Sequence, residues 1–327
     1  MKRIALIIPY FGKFKDWFQL FLTSCKNNPS IDWIIFTDDR SGYNYPRNVR
    51  VNYMTFSNVK ERIQANFDFP ICLDTPYKLC DYKPTYGEVF SEELEEYDFW
   101  GYCDTDLIFG NIRKFLTAEV LNQYPKIFTR GHLSLYKNDP SVNSFYRNMG
   151  DSLLHEVFTH NQPYAFDEWG GVSRYWQSVN KMYYDELCMD DIRPGYSGFR
   201  PTKEIHGYGS PYNFNNRDFS SVYKRMSNIV YSYESGSLYR CFLIDGNYKM
   251  EEVIYTHFQK RNLFVDEAIL CELIKDGKWI IIPNQFVKYE ELNKDAIKRI
   301  SPNKYGIIDA KLDLKYTLSE FYHSIHK

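Results

Sequence analysis

Two carboxylates one residue apart, Asp104 and Asp106, directly follow the aromatic, uncharged run Phe99–Cys103. Such a run is typical of a buried strand, and in extended backbone residues i and i+2 point to the same side. Two carboxylates on one side of a strand end repel each other unless a cation lies between them. The spacing therefore favours a divalent-metal site. A polar loop is the alternative, because Asp is common in turns.

A second stretch whose residues could do chemistry ends at His257, which follows a β-branched run and precedes the cations Lys260 and Arg261. Carboxylate oxygens suit Mg²⁺ or Mn²⁺, and a histidine nitrogen favours Mn²⁺. We predict that His257 joins the two aspartates around one such ion, with the cations beside a bound diphosphate. A structural histidine is the alternative interpretation.

The elements that must position these residues begin with a strand–helix–strand pattern. Arg3–Tyr10 and Trp33–Thr37 have strand composition, and Lys15–Cys25 between them has helical periodicity. This spacing predicts a βαβ unit in a parallel sheet, where ligands bind beyond the carboxyl ends of the strands. We expect three polar strand ends to converge there: Pro9, Tyr10 and Phe11; Thr37, Asp38 and Asp39; and the Asp104–Asp106 turn.

Further patterns extend this plan along the chain. Alternation and composition from Asp190 to Tyr248 predict antiparallel hairpins and loops, which we expect to form one side of the ligand-binding cleft. Additional strands are predicted at 51–56, 99–103, 126–129, 252–257, 279–283 and 285–287, and helical segments at 57–67 (with Ser57 as N-cap), 86–96, 139–158 and 318–325.

Composition narrows the class of protein. Of 327 residues, 44% are hydrophobic and 25% charged, as in ordinary globular proteins. The formal net charge of −2 gives no overall basic field for nucleic acid. The seven cysteines form no C-x-x-C and are odd in number, which favours reduced thiols. No apolar run is long enough to span a bilayer. We therefore expect a cytoplasmic protein, with at most peripheral membrane contact through the basic and aromatic tail from residue 303. A packed C-terminal helix is the alternative for this tail.

The order of these motifs resembles that of GT-A-type glycosyltransferases, which use nucleotide-sugar donors. The opening strand, the acidic end Thr37–Asp39, the Asp104–Asp106 turn and the late His257 carry the resemblance. His257 with its basic neighbours is similar to glycosyltransferase family 8, the glycogenin and lipopolysaccharide galactosyltransferase group. The family pattern has glycine and lysine after the histidine, whereas this chain has Phe258 and Gln259. The chain also resembles an uncharacterised bacterial family associated with capsule and lipopolysaccharide synthesis.

The resemblance implies an α/β fold of GT-A type: a Rossmann-like mixed sheet flanked by helices, with antiparallel hairpins in the second half. It implies a catalytic domain over 1–290, with the nucleotide part about 1–125 and the acceptor part about 126–290, followed by an extension over 291–327. It implies hexosyl transfer from a nucleotide sugar, with UDP as the expected nucleotide, to a glycan or lipid-linked glycan in bacterial polysaccharide synthesis.

The resemblance also implies roles for single residues. The metal ligands would be Asp104, Asp106 and His257. The donor-binding residues would be Pro9, Tyr10, Phe11, Thr37, Asp38, Asp39, Lys83, Asp104, Lys260 and Arg261. Apart from the resemblance, Lys78 and Lys83 are phosphate candidates because they lie close in sequence to the acidic site, and surface lysines are the alternative. Asp167 or Glu168 would act as general base in an inverting enzyme or would position the donor sugar in a retaining one, with Gly131 and His132 on the acceptor side. An acidic helix N-terminus is the alternative for Asp167 and Glu168.

Two other functions remain open at this stage. A sugar nucleotidyltransferase has a similar sheet and needs a metal, but it normally carries a glycine-rich basic loop after the first strand. Here Pro9–Lys13 contains one glycine. A non-catalytic scaffold of the same fold, binding carbohydrate or a partner protein, is the second alternative. Metal-dependent UDP binding would separate the transferase from such a scaffold.

Overall fold

The computed structural model describes residues 1–168, 170–193, 198–201, 225–259 and 261–301. The expectations for Lys260, for the helix at 318–325 and for the tail from 303 lie outside the described residues. The described chain divides into two compact units. Unit 1 comprises Met1–Lys15, Asn28–Thr105 and Leu116–Glu186, and unit 2 comprises Asp16–Asn27, Asp106–Phe115 and the described residues from Leu187 on. The domain bounds expected from the sequence stay a prediction.

The described strands, in chain order, are β1 Ile4–Tyr10, β2 Ile31–Thr37, β3 Val49–Tyr53, β4 Phe99–Cys103, β5 Leu107–Phe109, β6 Lys126–Arg130, β7 Leu133–Lys137, β8 Asp190–Asp191, β9 Met226–Glu234, β10 Ser237–Ile244, β11 Asn247–Val253, β12 Tyr255–His257, β13 Phe264–Val265, β14 Lys278–Ile282 and β15 Gln285–Lys288.

The described α-helices are α1 Phe18–Lys26, α2 Phe56–Gln64, α3 Leu79–Tyr82, α4 Tyr86–Val89, α5 Ser91–Leu94, α6 Ile112–Phe115, α7 Ala118–Gln123, α8 Pro140–Asn143, α9 Asp151–Thr159, α10 Val172–Ser178, α11 Glu267–Asp276 and α12 Lys294–Ile300. Three 3₁₀ turns lie at Pro76–Lys78, Lys83–Thr85 and Phe145–Met149.

Unit 1 is built on a six-stranded mixed sheet in the order β3-β2-β1-β4-β7-β6. The first four strands are parallel, and β7 and β6 continue the sheet antiparallel. Because β1 pairs with β2 on one side and β4 on the other, the strand order reverses at β1. The carboxyl ends of β1, β2 and β4 therefore lie at one edge, beside a topological switch point where open α/β sheets bind ligands.

The core of unit 1 forms where apolar faces of short helices cover this sheet. Ala5, Ile7 and Trp100 of the sheet share one buried cluster with Val59 of α2 and Trp176 of α10. Burial of such large side chains supplies the main favourable free energy of folding. The sheet is thereby held rigid up to the strand ends, which is where the polar residues begin.

Several predicted boundaries in unit 1 need correction. The N-cap of α2 is Thr55 and not Ser57, because the Thr55 hydroxyl accepts from the Asn58 amide while the Asn58 side chain accepts from the Thr55 amide. The predicted helix over 139–158 is three short pieces, with breaks at Ser144 and at Gly150, where φ is 93°. The predicted helix over 86–96 is interrupted at Phe90, where α4 ends before α5.

Unit 2 contains a second six-stranded sheet, in the order β11-β10-β9-β14-β15-β13, and a small sheet in the order β5-β12-β8. The antiparallel pairs β9–β10 and β10–β11 confirm the predicted hairpins. The single strand predicted over 252–257 is wrong. The backbone leaves one sheet after Val253 and enters the other at Tyr255, so that β11 and β12 belong to different sheets.

These observations confirm the predicted class: the protein is mixed α/β, with mixed sheets flanked by helices and with antiparallel hairpins in its second half. Among the helices in the described part of the chain, none is both long enough and apolar enough to cross a membrane.

Candidate functional site

The small sheet of unit 2 places one imidazole between two carboxylates. His257 ends β12, which pairs antiparallel with β5 at Leu107 and parallel with β8 at Asp191. Asp106 immediately precedes β5, and its carbonyl oxygen accepts the Phe258 amide at 3.0 Å. The pairing register therefore brings two acids from distant parts of the chain to the same histidine.

The geometry around this ring is tight. His257 Nδ1 lies 2.7 Å from Asp191 Oδ1, and Nε2 lies 3.2 Å from Asp106 Oδ1. His257 is 8% exposed. Burial by itself lowers the pKa of His257, but Asp106 and Asp191 outweigh it and raise that pKa well above its usual value. The ring orientation is thus fixed from both sides.

A buried polar layer in unit 2 supports Asp191. The side-chain Nε2 of Gln259 donates to both Asp191 carboxylate oxygens, each at 2.8 Å. The neighbouring Asp190 accepts from the Tyr231 hydroxyl at 2.8 Å and from Arg240 Nη1 at 2.5 Å. Charge-assisted bonds of this kind fix a side chain firmly, so the position of the carboxylate that orients His257 is well defined.

Unit 1 holds a second cluster, centred on Lys83. Its Nζ donates to Asp104 Oδ1 and to the Gly131 carbonyl, each at 2.8 Å, and lies 3.5 Å from Asp167 Oδ2. Burial lowers the pKa of Lys83, but Asp104 and Asp167 outweigh it and raise the pKa well above its usual value. Asp104 is held further through its amide, which donates to the His132 carbonyl at 3.1 Å.

The acids Asp167 and Glu168 close around Gly131 in the same unit. The Gly131 amide donates to Glu168 Oε1 at 2.6 Å. A Cβ at Gly131 would lie 2.6 Å from that oxygen and 2.8 Å from Asp167 Oδ2, so any larger residue there would displace these carboxylates. Burial raises the pKa of Asp167 to about 8 although Lys83 opposes it. Neither acid lies in the first turn of α10, which begins at Val172, so the helix N-terminus alternative is wrong.

The ends of β1 and β2 form the third part of the candidate site. Tyr10 stacks on Phe14 with ring centroids 4.4 Å apart, and Thr37 stands opposite Tyr10 in the pairing register. Asp38 Oδ1 accepts the Gly12 amide at 2.8 Å and Asp39 Oδ2 accepts the Phe14 amide at 3.0 Å. Both acids thus shape the backbone that follows β1, between Phe11 and Phe14.

Two of the predicted phosphate contacts are buried cations. Lys78 is fully buried and pairs with Asp81 at 2.8 Å, which excludes it from a surface phosphate site and corrects that expectation. Arg261 is 2% exposed, donates to Asn284 Oδ1 at 3.0 Å and lies over the Phe199 ring at 5.0 Å. Its donor-binding role stays a prediction.

The structure thus brings the predicted site residues together in groups within each unit. In unit 1 these are Lys83 with Asp104, Asp167, Glu168 and Gly131, and the β1 and β2 ends; in unit 2 they are Asp106 with His257. Sequence reasoning missed Asp191. The acidic pair Asp190–Asp191 was visible as a signal, but nothing in the sequence marked it as a strand beside His257.

Comparison with known protein families gives one match over most of the chain. Residues 6–290 match the family described as Family of unknown function (DUF6625). The chain belongs to this family. No curated protein sequence matches this DUF6625 member.

Solved structures similar to this DUF6625 chain include three glycosyltransferases. The first is the glycosyltransferase GlyE of Streptococcus pneumoniae TIGR4, with 12% identity and a TM-score of 0.33 over 57% of this chain and 46% of that one. The second is mouse xyloside xylosyltransferase 1 in the apo form, with 8% identity and a TM-score of 0.40 over 79% of this chain and 98% of that one. The third is the galactosyltransferase LgtC with donor and acceptor sugar analogs, with 11% identity and a TM-score of 0.39 over 83% of this chain and 95% of that one. The chain spans about half the length of GlyE.

Proposed function

We propose that this protein is a metal-dependent glycosyltransferase of GT-A type. It would transfer a hexosyl group from a nucleotide sugar, expected to be a UDP-sugar, to a glycan or lipid-linked glycan during cytoplasmic synthesis of a bacterial surface polysaccharide. Residues 1–290 would form the catalytic domain. The observation that carries this proposal is the imidazole of His257 held between Asp106 and Asp191.

The donor set in unit 2 fits a Mn²⁺ or Mg²⁺ ion. Asp106 and His257 belong to a group of side chains that could hold a metal ion. His257 Nε2 faces a carboxylate oxygen while Nδ1 is held by Asp191, which is how carboxylates orient metal-binding histidines. Because only Thr105 separates Asp104 from Asp106, the backbone holds their Cα atoms within about 7 Å. We infer that Asp104 is the third ligand.

When bound, the ion would supply positive charge against the diphosphate leaving group. The protein's own part is to orient the ligands. Lys83 fixes one oxygen of Asp104, and Asp191 fixes the ring of His257. Lys83 and Lys260 would add positive charge beside the phosphates, which stabilises the charge that develops there.

The ends of β1 and β2 would bind the nucleoside. The aromatic ring of Tyr10 offers a flat face, and Asp38 and Asp39 shape the loop at the strand edge where ligands of parallel sheets bind. Asp167 and Glu168, gathered at Gly131, would serve the transferred sugar or the acceptor hydroxyl. In an inverting reaction one of them takes the proton of that hydroxyl.

The decisive experiment is calorimetric titration of UDP with and without Mn²⁺, followed by a donor-hydrolysis screen over UDP-, GDP- and CMP-sugars. The proposal expects UDP binding that requires Mn²⁺ and hydrolysis of one donor class. Asp106→Asn should lose the Mn²⁺ effect, whereas Asp74→Asn, an exposed acid paired with Lys60, should keep it.

Other outcomes decide for the alternatives. Formation of a nucleotide sugar from a nucleoside triphosphate and a sugar phosphate identifies a nucleotidyltransferase. An absence of nucleotide binding, with and without metal, identifies a non-catalytic scaffold and overturns the proposal.

A further inference from the structure

A fully buried ion pair lies in unit 1, away from any surface. Lys78 Nζ and Asp81 Oδ2 are 2.8 Å apart, and both side chains are 0% exposed. Desolvating two charges costs free energy that their attraction does not always repay. The net contribution of such a pair to the free energy of folding is therefore small, and its other contacts show what it positions.

Each partner is saturated by backbone groups of one segment. Lys78 Nζ donates to the carbonyls of Val157 at 2.9 Å and Gln162 at 2.7 Å. Asp81 accepts the amides of Tyr164 at 2.9 Å and Phe166 at 2.9 Å. The pair therefore ties the segment 157–166 to the 3₁₀ turn and helix α3 at both ends.

The tied segment ends directly before the acids of the candidate site. Phe166 precedes Asp167, and its carbonyl accepts the Val172 amide at 2.8 Å. The following turn is closely packed: a Cβ at Gly171 would lie 2.1 Å from that same carbonyl oxygen. The bond at Phe166 and the close packing at Gly171 therefore restrict the backbone movement that is available to Asp167 and Glu168.

The other side of the pair leads directly to Lys83. Asp81 lies in α3, which ends at Tyr82, and Lys83 begins the next turn. One ion pair thus fixes the backbone on both sides of the contact between Lys83 and Asp167. It also fixes the segment from which Glu168 accepts the Gly131 amide.

We propose that Lys78 and Asp81 are positioning residues that set Asp167 and Glu168 against Lys83 and Gly131. The catalytic consequence rests on the proposed function, whereas the structural coupling from Asp81 to Gly131 does not. A displacement of about 1 Å at a reacting group can cost roughly 10²-fold in rate. A small shift of this segment is therefore expected to affect turnover more than donor binding.

The test compares Asp81→Asn with a matched control in the same unit. Arg62 and Glu93 form a two-bond ion pair, 2.6 Å for each bond, that has no contact with the segment 157–168 among the described bonds. Asp81→Asn should lower kcat for donor hydrolysis by roughly 10- to 100-fold while the donor KM changes less than about twofold. Glu93→Gln should leave kcat and KM unchanged.

Hydrogen exchange supplies a readout independent of activity. In Asp81→Asn the Gly131 amide, which depends on Glu168, should exchange roughly 10-fold faster, and in Glu93→Gln it should exchange as in the unaltered protein. If Asp81→Asn fails to fold, the double variant Lys78→Met, Asp81→Leu replaces it, because it removes both charges and leaves neither unpaired.

Unchanged exchange at Gly131 in a folded variant overturns the proposal. An equal fall in kcat for Glu93→Gln also overturns it, because a general loss of rigidity would then explain both. If the unaltered protein hydrolyses no donor, the proposed function fails, and the exchange at Gly131 still decides the positioning role.

Discussion

Two regions of the molecule place a basic group between two carboxylates, and they do it with different bases. In unit 1 Lys83 lies between Asp104 and Asp167, and in unit 2 His257 lies between Asp106 and Asp191. In both cases burial lowers the pKa of the base, and the two acids raise it further than burial lowers it. The electrostatic arrangement is thus nearly the same.

The difference lies in what each base can become. A lysine ammonium has three donors and no acceptor, and Lys83 uses one donor on the Gly131 carbonyl. Lys83 therefore acts only as a charged donor that links Asp104 to the Gly131 carbonyl. An imidazole can lose a proton and offer a nitrogen lone pair to a metal ion. The same three-group arrangement therefore keeps a charged hydrogen-bond donor at Lys83, whereas at His257 it contains a base whose neutral form could serve as a metal ligand.

The largest effect is expected from breaking the His257 region. Asp106→Asn and His257→Ala should each lower Mn²⁺-dependent donor turnover by about 10³-fold, since metal charge stabilisation is worth several kcal/mol. Asp106→Asn should keep the fold, because Asp191 still holds the ring. Steady-state kinetics over a Mn²⁺ series measures the effect, with circular dichroism as the fold control. Full Mn²⁺-dependent turnover in Asp106→Asn would contradict the metal site.

Breaking the Lys83 region should act on stability first. Lys83→Met leaves the carboxylates of Asp104 and Asp167 without their cation and should cost about 3–5 kcal/mol in the free energy of unfolding. Urea unfolding measures this. The matched control is Lys60→Met, which removes an exposed pair with Asp74 and should cost at most about 1 kcal/mol. Equal losses of unfolding free energy in the two variants would show that Lys83 stabilises the fold no more than an exposed ion pair does.

A third buried base, Lys126, sharpens the comparison. Within the described part of the chain it forms a hydrogen bond with a phenol and no ion pair with a carboxylate. Lys126 is 0% exposed, donates to the Tyr136 hydroxyl at 2.7 Å and has its pKa lowered by burial to about 7. Lys126→Met should raise the free energy of unfolding by a few kcal/mol at pH 6, because each unit by which burial lowers the Lys126 pKa costs about 1.4 kcal/mol.

The sign of the pH dependence follows from linkage. Between pH 7 and the ordinary lysine pKa near 10.5, the unfolded chain binds more protons than the folded one at Lys126, so its burial penalty is full below pH 7 and fades as pH rises. The gain from Lys126→Met should shrink toward pH 10. Chemical denaturation at pH 6, 8 and 10 tests this, and a pH-independent gain would refute it.

The smallest effect is expected from Asp191→Asn. Asp191 touches the far nitrogen of His257, so its charge should tune the affinity for Mn²⁺ without supplying a ligand. Loss of such an orienting carboxylate typically weakens metal binding 10- to 100-fold. Mn²⁺ titration followed by electron paramagnetic resonance measures the affinity. An affinity equal to that of the unaltered protein would remove Asp191 from the site.

The fold was predictable where periodicity was strong. Strand β4 matches its prediction at both ends because five aromatic or uncharged residues in a row follow a polar segment. The parallel edge followed from the strand–helix–strand spacing. Gly150 and Phe90 were harder, because a helical pattern of apolar residues continues across both breaks, and only the backbone angles show them.

The sequence predicted those parts of the site whose residue types by themselves indicate metal or phosphate binding. Asp106 and His257 were expected to meet, and they do so within unit 2. Asp191 and the Lys78–Asp81 pair could not be foreseen, because their partners are backbone groups or side chains brought near by sheet register and turns. Long-range register leaves no local trace in a single sequence.

The division of the chain into units has a consequence for how this protein can be cut or recombined. The described chain passes back and forth in six alternating segments, and α1 belongs to unit 2 although it separates two adjacent strands of unit 1. Ser24 in that helix accepts the Phe109 amide of β5 at 3.2 Å. No single break in the gene yields either unit whole. Expression or grafting of one continuous fragment therefore always omits part of the unit it is meant to contain.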